Sequence, residues 1–244
     1  MLQIQNLKKQ FGGIKAVNGA SFEIKKNSIT ALIGPNGSGK TTVFNLISSI
    51  LKEDSGKIFF NGEDITHKSI EETSNVGISR LFQQSRLFKN LTVKENLMLA
   101  ICNEDTKFWK NLIGYKISAE EEKKINEIAK LVGISEFINK QCKDLSFGQK
   151  RLEEIARAII KPHSLLMLDE PVAGVNPKLR KEISDLLLRL KENGDTVLLI
   201  EHDMNFTLKI SDKVVVMDEG EVIAQGTPSE IKNNKKVLEA YLGD

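Results

Sequence analysis

Gly34-Pro35-Asn36-Gly37-Ser38-Gly39-Lys40-Thr41 decides how this chain is read. The stretch has the spacing G-x-x-x-x-G-K-[ST], and its flanks supply the context that this spacing needs. Before it runs Ile29-Thr30-Ala31-Leu32-Ile33, an apolar run suited to a strand buried on both faces. After it, Val43, Leu46, Ile47 and Ile50 fall at i, i+3, i+4 and i+7, one face of a helix. A strand that turns through glycines into a helix builds a phosphate site. Glycine allows the backbone angles that aim successive N–H groups at one point. The helix N-terminus adds partial positive charge at that point. Lys40 can reach β- and γ-phosphates, and the Thr41 hydroxyl suits Mg²⁺, a hard ion that prefers oxygen. A glycine-rich turn with an incidental lysine is the plainer alternative, and the flanking strand and helix argue against it.

The same alternation continues along the chain. Leu165-Leu166-Met167-Leu168 and Thr196-Val197-Leu198-Leu199-Ile200 are further apolar runs of the parallel-sheet kind. Leu152, Ile155, Ala156 and Ile159 predict one helix. Leu179, Ile183, Leu186 and Leu190 predict another, stopped at Asn193-Gly194. Other strands read as antiparallel. Met1 to Gln5 alternates apolar and polar, Ile58-Phe59-Phe60 enters the turn dipeptide Asn61-Gly62, and Val214–Met217 and Val222–Ala224 flank a hairpin turn. From Leu91 to Lys143 helical spacing dominates, with Ile125, Ile128, Ala129 and Val132 on one face. The predicted architecture is therefore α/β, a phosphate-loop core with an antiparallel β subdomain. One domain covers 1–244, with a helical subdomain inserted at about 91–155.

Bulk properties exclude several classes. The chain has 244 residues, 40% hydrophobic and 28% charged, ordinary for a globular protein. A formal net charge of +2 is too small for a nucleic-acid-coating surface, so no nucleic-acid partner is expected. Cys102 and Cys142 lie far apart and near no histidine at ligand spacing, so both read as reduced apolar residues. No apolar run approaches the roughly 20 residues of a membrane span, so the chain reaches a membrane only by docking on a partner. Glu120 and Lys124 stand at i,i+4 and read as a solvated helix face. His67 and His163 lie in turn-like segments and receive no role; Trp109 reads as a packing residue of the insertion.

Two more segments carry chemistry. Asp169-Glu170 closes the Leu165–Leu168 strand, where ligands of open α/β sheets bind. Asp169 can orient Mg²⁺ there, and Glu170 can polarise an attacking water. Leu145-Ser146-Phe147-Gly148-Gln149 has capping-box spacing between Ser146 and Gln149, just ahead of the Leu152 stripe. A well-capped helix is one reading, and a second phosphate-binding helix end is the other.

That segment resembles the signature motif L-S-G-G-Q of ABC ATPases, and the other motifs of the family follow in order. Phe11 is similar to the adenine-stacking aromatic, Gln83 to the Q-loop glutamine, Pro171–Asn176 to the D-loop and His202 to the switch histidine. The resemblance implies catalytic roles for Glu170, His202 and Gln83, and Mg²⁺ held by Thr41, Gln83 and Asp169. It implies ATP contacts from Phe11, Val17, Gly34 through Lys40, Thr41, Thr42, Ser146, Phe147, Gly148 and Gln149. Two departures stand out: Phe147 replaces the first signature glycine, and Asn176 stands where an aspartate is usual. Phe11–Val17, Asp169–Pro177, Ile200–Met204 and the tail Ala240–Asp244 resemble the ATPases of branched-chain amino-acid transporters. The lipopolysaccharide-export ATPases share several of these segments.

The resemblance implies a head-to-tail pair of cassettes, identical or homologous, in which one chain supplies half of each ATP site. It also implies transmembrane permease subunits, an extracytoplasmic solute-binding protein acting indirectly, and a peripheral place on the cytoplasmic face of the cell membrane. A soluble ABC ATPase of translation or DNA repair would carry two ATPase units or a long coiled coil, and neither is present. A P-loop kinase or GTPase would lack the Leu145–Gln149 segment and His202.

Overall fold

A computed structural model describes residues 1–81, 87–101 and 117–242. Its contacts divide the chain into two compact units: Met1–Arg80, His163–Glu170 and Leu187–Asp244 form one, Leu81–Pro162 and Pro171–Leu186 the other.

The first unit carries two sheets. Strands β1 (Leu2–Phe11), β2 (Ile14–Ile24), β4 (Ser55–Phe60) and β5 (Glu63–Asp64) form an antiparallel sheet in the order β2-β1-β4-β5. Alternation buries Leu2 and Ile4 against exposed Gln3 and Gln5, then skips to Leu7. The skip is a bulge: the register shifts between Ile4 and Leu7, and Asn6 takes φ 48°. The Asn61-Gly62 turn forms with φ 52° and 89°, the positive angles a two-residue hairpin of this kind requires.

The second sheet adds β3 (Ile29–Ile33), β6 (Ile78–Leu81), β7 (Leu165–Asp169), β8 (Thr196–Ile200), β9 (Lys213–Asp218) and β10 (Glu221–Gly226), in the order β10-β9-β3-β8-β7-β6. Strands β9, β3, β8 and β7 run parallel, and β10 returns antiparallel on β9. Every residue of β3, β7 and β8 is buried, as their nearly continuous apolar runs anticipate. Ile200 pairs with Leu32 on one side and Asp169 on the other, so the carboxyl ends of three strands lie level.

Helix α1 (Lys40–Ile47) follows β3 directly. The Val43 stripe extends to Ile50, but the helix stops at Ile47. Ser49 adopts φ 57°, and the amides of Ser49 and Ile50 bond Leu46 and Asn45 carbonyls. That is a Schellman-type stop, and it turns Ile50 outward. A short helix α2 (Ile70–Asn75) precedes β6 and is capped by Ser69.

The second unit is helical: α3 (Val93–Ile101), α4 (Ala119–Val132) and α5 (Phe147–Ile160) pack together. Val93, Leu97, Ile125, Ala129, Ile155 and Ala156 fill its core. Ser118 and Glu121 form a capping box at the head of α4, and left-handed Gly133 ends it. On this helix Lys123 meets Glu127 and Glu122 meets Lys94, so the charges are solvated as expected, with other partners. Cys142 is a free, buried thiol that accepts from Asn96 Nδ2 at 3.2 Å, and burial pushes its pKa up to about 12. Cys102 and Trp109 lie outside the described residues. Helix α6 (Pro177–Glu192) runs from this unit into the first, ending at Gly194 with φ 100°. Helices α7 (Met204–Ile210), α8 (Pro228–Lys232) and α9 (Lys235–Leu242) belong to the first unit.

Glu153 of α5 is fully buried, and among the described residues neither carboxylate oxygen has a hydrogen-bond partner. Burial raises its pKa from an ordinary 4.5 to about 8; Arg157 opposes the rise and Glu154 adds to it. The folded chain therefore keeps this proton where the unfolded chain has lost it. Stability falls as pH climbs from about 4.5 through 8 and this contribution is flat above. Glu153→Gln and Glu153→Leu remove that slope. Their melting temperatures exceed wild type by more at pH 9 than at pH 5, by about 2–4 °C for each kcal/mol recovered. Equal gaps at both pH values in a thermal melt contradict this account.

Candidate functional site

The loop from Gly34 to Gly39 leaves β3 at its carboxyl end and delivers Lys40 as the first residue of α1. Two glycines are required by space. A Cβ on Gly34 would lie 2.0 Å from the Met217 carbonyl oxygen, and one on Gly39 would lie 2.2 Å from that of Ala16. Gly37, with φ 80°, has open space where its Cβ would project. Helix α1 has no side-chain cap and no acidic residue in its first turn. Its first N–H groups thus present an uncompensated positive end, the condition an anion needs. Lys40 is 5% exposed, and Nζ donates to Gly34 O at 2.9 Å, Pro35 O at 2.7 Å and Ser38 Oγ at 3.2 Å. Burial lowers its pKa, while the carboxylates of Glu170 and Asp169 pull it back up. Ser38 is buried; Asn36, Gly37 and Thr41 are exposed, and Pro35 and Thr42 are half-buried.

Level with this loop, β7 ends in Asp169 and the chain turns at Glu170. Glu170 has φ 50°, a left-handed backbone that a residue with a Cβ adopts only under constraint. Its amide donates to Ile200 O at 2.9 Å, which fixes the turn. The turn places Oε1 2.8 Å from His202 Nε2, just past the end of β8. The two residues stand thirty-two positions apart in the sequence, and the fold makes them a pair. Asp203 caps the next helix through the Phe206 amide at 3.0 Å, which aims the segment after His202.

Asp169 is buried and meets Arg80 Nη2 through Oδ2 at 3.4 Å. Arg80 belongs to none of the motifs read from the sequence. A cation between Ile78 and Leu81 on a strand entering a core was the available signal.

Phe11 ends β1 at 45% exposure with Lys9 Nζ 5.5 Å from its ring centre, so a ring face is on offer for stacking. Val17 is different: its side chain is buried in the core cluster and presents no surface to a ligand. Gln83 lies outside the described residues. His67 Nδ1 lies 3.1 Å from Glu53, and His163 Nε2 lies 3.5 Å from Asp195, so both histidines have acidic neighbours that the sequence did not reveal.

The second unit holds the Leu145–Gln149 segment. Ser146 Oγ accepts from the Gln149 amide at 3.3 Å, and Gln149 Oε1 accepts from the Ser146 amide at 2.9 Å. The capping box thus forms. The amides of Phe147 and Gly148 precede the first intrahelical bond, from Lys150 to Ser146, so the helix itself supplies them no acceptor. Gly148 is also a packing requirement, since a Cβ there would lie 2.7 Å from Leu179 Cδ2. Phe147 is 63% exposed with its ring edge beside Gly174. Arg151 donates from Nε to Pro171 O at 3.0 Å, tying α5 to the Pro171–Asn176 loop. Asn176 Oδ1 accepts from the Leu179 amide at 2.9 Å, so its carbonyl serves as the cap of α6.

A family model described as ABC transporter matches residues 17–173, from the hairpin ahead of the phosphate loop to just past Glu170. The chain belongs to the ABC transporter family. It is therefore an ATP-binding cassette, the unit in which ATP hydrolysis is coupled to transport. A second model, branched-chain amino acid ATP-binding cassette transporter, matches residues 221–244 of this cassette. The cassette is 42% identical to the probable branched-chain amino acid transport ATP-binding protein LivG of Archaeoglobus fulgidus, across 100% of this chain and 95% of the relative. It is similar to the crystal structure of a nucleotide-free ATP-binding cassette from an ABC transporter, with TM-score 0.87, 37% identity and coverage of 100% and 99%. It is also similar to a dimeric cassette in a post-hydrolysis state bound to ADP and Pi, with TM-score 0.79, 26% identity and coverage of 93% and 99%.

Lys40→Ala removes the only cation inside the described phosphate loop. Losing a charge-assisted contact costs about 1.5–3 kcal/mol, which weakens ATP binding by roughly 10- to 150-fold. A titration with a fluorescent nucleotide checks this. Wild-type affinity in the variant removes Lys40 from the site.

Proposed function

We propose that this cassette powers the import of branched-chain amino acids by hydrolysing MgATP at sites shared between two cassettes. The observation that carries the hydrolytic part is the Glu170–His202 contact of 2.8 Å at the strand ends that also bear the phosphate loop. The cargo is supported by the match of residues 221–244 and by the full-length relatedness to LivG.

In this reading the amides of the loop and of the first turn of α1 bind the β- and γ-phosphates. Lys40 turns its ammonium from the loop carbonyls toward the phosphate oxygens. Thr41 and Asp169 present the oxygen donors that a magnesium ion requires, with Gln83 as a further donor, and the ion would neutralise phosphate charge in the transition state. Phe11 stacks on the adenine. Glu170 orients the attacking water and accepts its proton. His202 holds the Glu170 carboxylate at one end and reaches the γ-phosphate at the other. Ser146, the Phe147 and Gly148 amides and Gln149 of the second cassette close over that γ-phosphate. ATP thereby bridges two proteins, and its hydrolysis releases them, a ligand-biased two-state element.

Permease subunits dock near Gln83 and the helical insertion and hold the cassette at the cytoplasmic face of the membrane. Among the described residues no helix is long and apolar enough to cross a membrane, so attachment falls to those partners. A solute-binding protein delivers cargo on the far side. The lipopolysaccharide-export reading gains no support from the relatives.

The test is reconstitution of the complex with its permease pair and binding protein. Leucine or isoleucine stimulates phosphate release in the wild-type complex. Glu170→Gln binds ATP and slows release by on the order of 10²–10⁴-fold. Failure of every branched-chain amino acid to stimulate turnover contradicts the cargo. Normal turnover in Glu170→Gln contradicts the chemistry.

A further inference from the structure

Arg80 reaches two parts of the first unit, α1 with its end and the last residue of β7, from one buried position. Its side chain is 6% exposed. Nη1 donates to Asn45 Oδ1 at 2.8 Å and to Ser48 Oγ at 2.8 Å, both on or just beyond α1. Nη2 faces Asp169 Oδ2 at 3.4 Å, at the end of β7. The guanidinium carbon lies 5.5 Å from the centre of the Phe44 ring, also on α1. Ser48 is itself aimed, because its hydroxyl donates to Phe44 O at 2.8 Å.

We propose that Arg80 is a positioning residue for Asp169: braced on α1, its guanidinium sets the direction in which that carboxylate offers its oxygens. The inference rests on the reading of Asp169 as a Mg²⁺ residue. Three physical points carry it. A carboxylate 2% exposed needs a partner, and burying it alone is costly. A planar fork can hold two acceptors with one nitrogen while offering the other nitrogen to a carboxylate, which a lysine ammonium on a flexible stem cannot. The brace also joins the two pieces of the site. Helix α1 begins with Lys40, and Asp169 belongs to a strand that does not neighbour β3 in the sheet. Through Arg80 the spacing between phosphate loop and carboxylate is fixed by direct contacts as well as by strand register.

The test separates nucleotide affinity from its enhancement by Mg²⁺. A fluorescent ATP analogue is titrated in EDTA and in Mg²⁺, on wild type, Arg80→Met, Arg80→Lys, the Asn45→Ala/Ser48→Ala double variant and Asp169→Asn. Arg80→Met leaves the affinity in EDTA within about twofold of wild type, because the loop amides and Lys40 are untouched, and cuts the gain from Mg²⁺ by on the order of tenfold. Arg80→Lys restores part of that gain. The double variant keeps the cation, removes the brace and lowers the gain in the same direction. An equal loss in EDTA and in Mg²⁺ marks Arg80 as a merely structural residue and overturns the proposal, as does an unchanged gain. Should Arg80→Met fail to fold in circular dichroism, the double variant decides: an unchanged gain overturns the proposal. If Asp169→Asn lowers the gain and no Arg80 variant does, the positioning role alone fails. If Asp169→Asn leaves the gain intact, both readings fail.

Discussion

Three adjacent parallel strands in one register, β3, β8 and β7, hold the site together. Each is buried along its whole length, so none can present a polar group from its middle. The chemistry is pushed to the carboxyl ends, which the pairing of Ile200 with both Leu32 and Asp169 brings level. A slip of one residue would turn every side chain of a strand to the opposite face and withdraw Asp169 from that edge. The phosphate loop, the Asp169-Glu170 corner and His202 are continuations of these three strands. Their mutual positions follow from packing before any direct contact between them is counted.

Contacts beyond the strand ends sharpen that placement at a cost. Glu170 occupies a left-handed backbone conformation, which costs roughly 1–2 kcal/mol for a residue with a Cβ. The bond from its amide to Ile200 holds it there. The result is a carboxylate on His202 instead of one that follows the line of β7. Lys40 is likewise held in an environment that burial makes unfavourable for charge, compensated by loop oxygens and by the two carboxylates. Cation and carboxylates are thus matched within one rigid frame. Preorganised charge of this kind favours a transition state more than a flexible surface can.

Local signals in the sequence were strong wherever one residue type has one physical use. The glycines of the phosphate loop, the Asn61-Gly62 turn, the Ser146–Gln149 box and the Asn193-Gly194 stop all follow from backbone angles or caps, and all form. Signals that depend on tertiary partners were silent. The helix stop before Ile50 needed Ser49 to turn left-handed, which serine composition does not announce. Val17 belongs to a motif yet faces the core, because alternation in β2 is set by its pairing with β1. Gly148 reads as a phosphate contact and is also pinned by Leu179, thirty-one positions on. Arg80 and Glu153 look like ordinary charges in sequence. Only burial shows one to bridge α1 and the end of β7 and the other to have no hydrogen-bond partner among the described residues.

In the proposed mechanism one chain carries two halves of different sites, a phosphate loop and a capped signature helix. The direct measurement is a mixing experiment. Chains bearing Lys40→Ala are combined in equal amounts with chains bearing Ser146→Arg, and phosphate release is followed under MgATP in the reconstituted complex. Each variant alone is inactive, since every shared site is damaged. In the mixed pair both lesions fall on one site and leave the other whole, so the account predicts recovered turnover above the sum of the two variants. A Ser146→Arg chain that is fully active alone, or a mixture no more active than its parts, would contradict it.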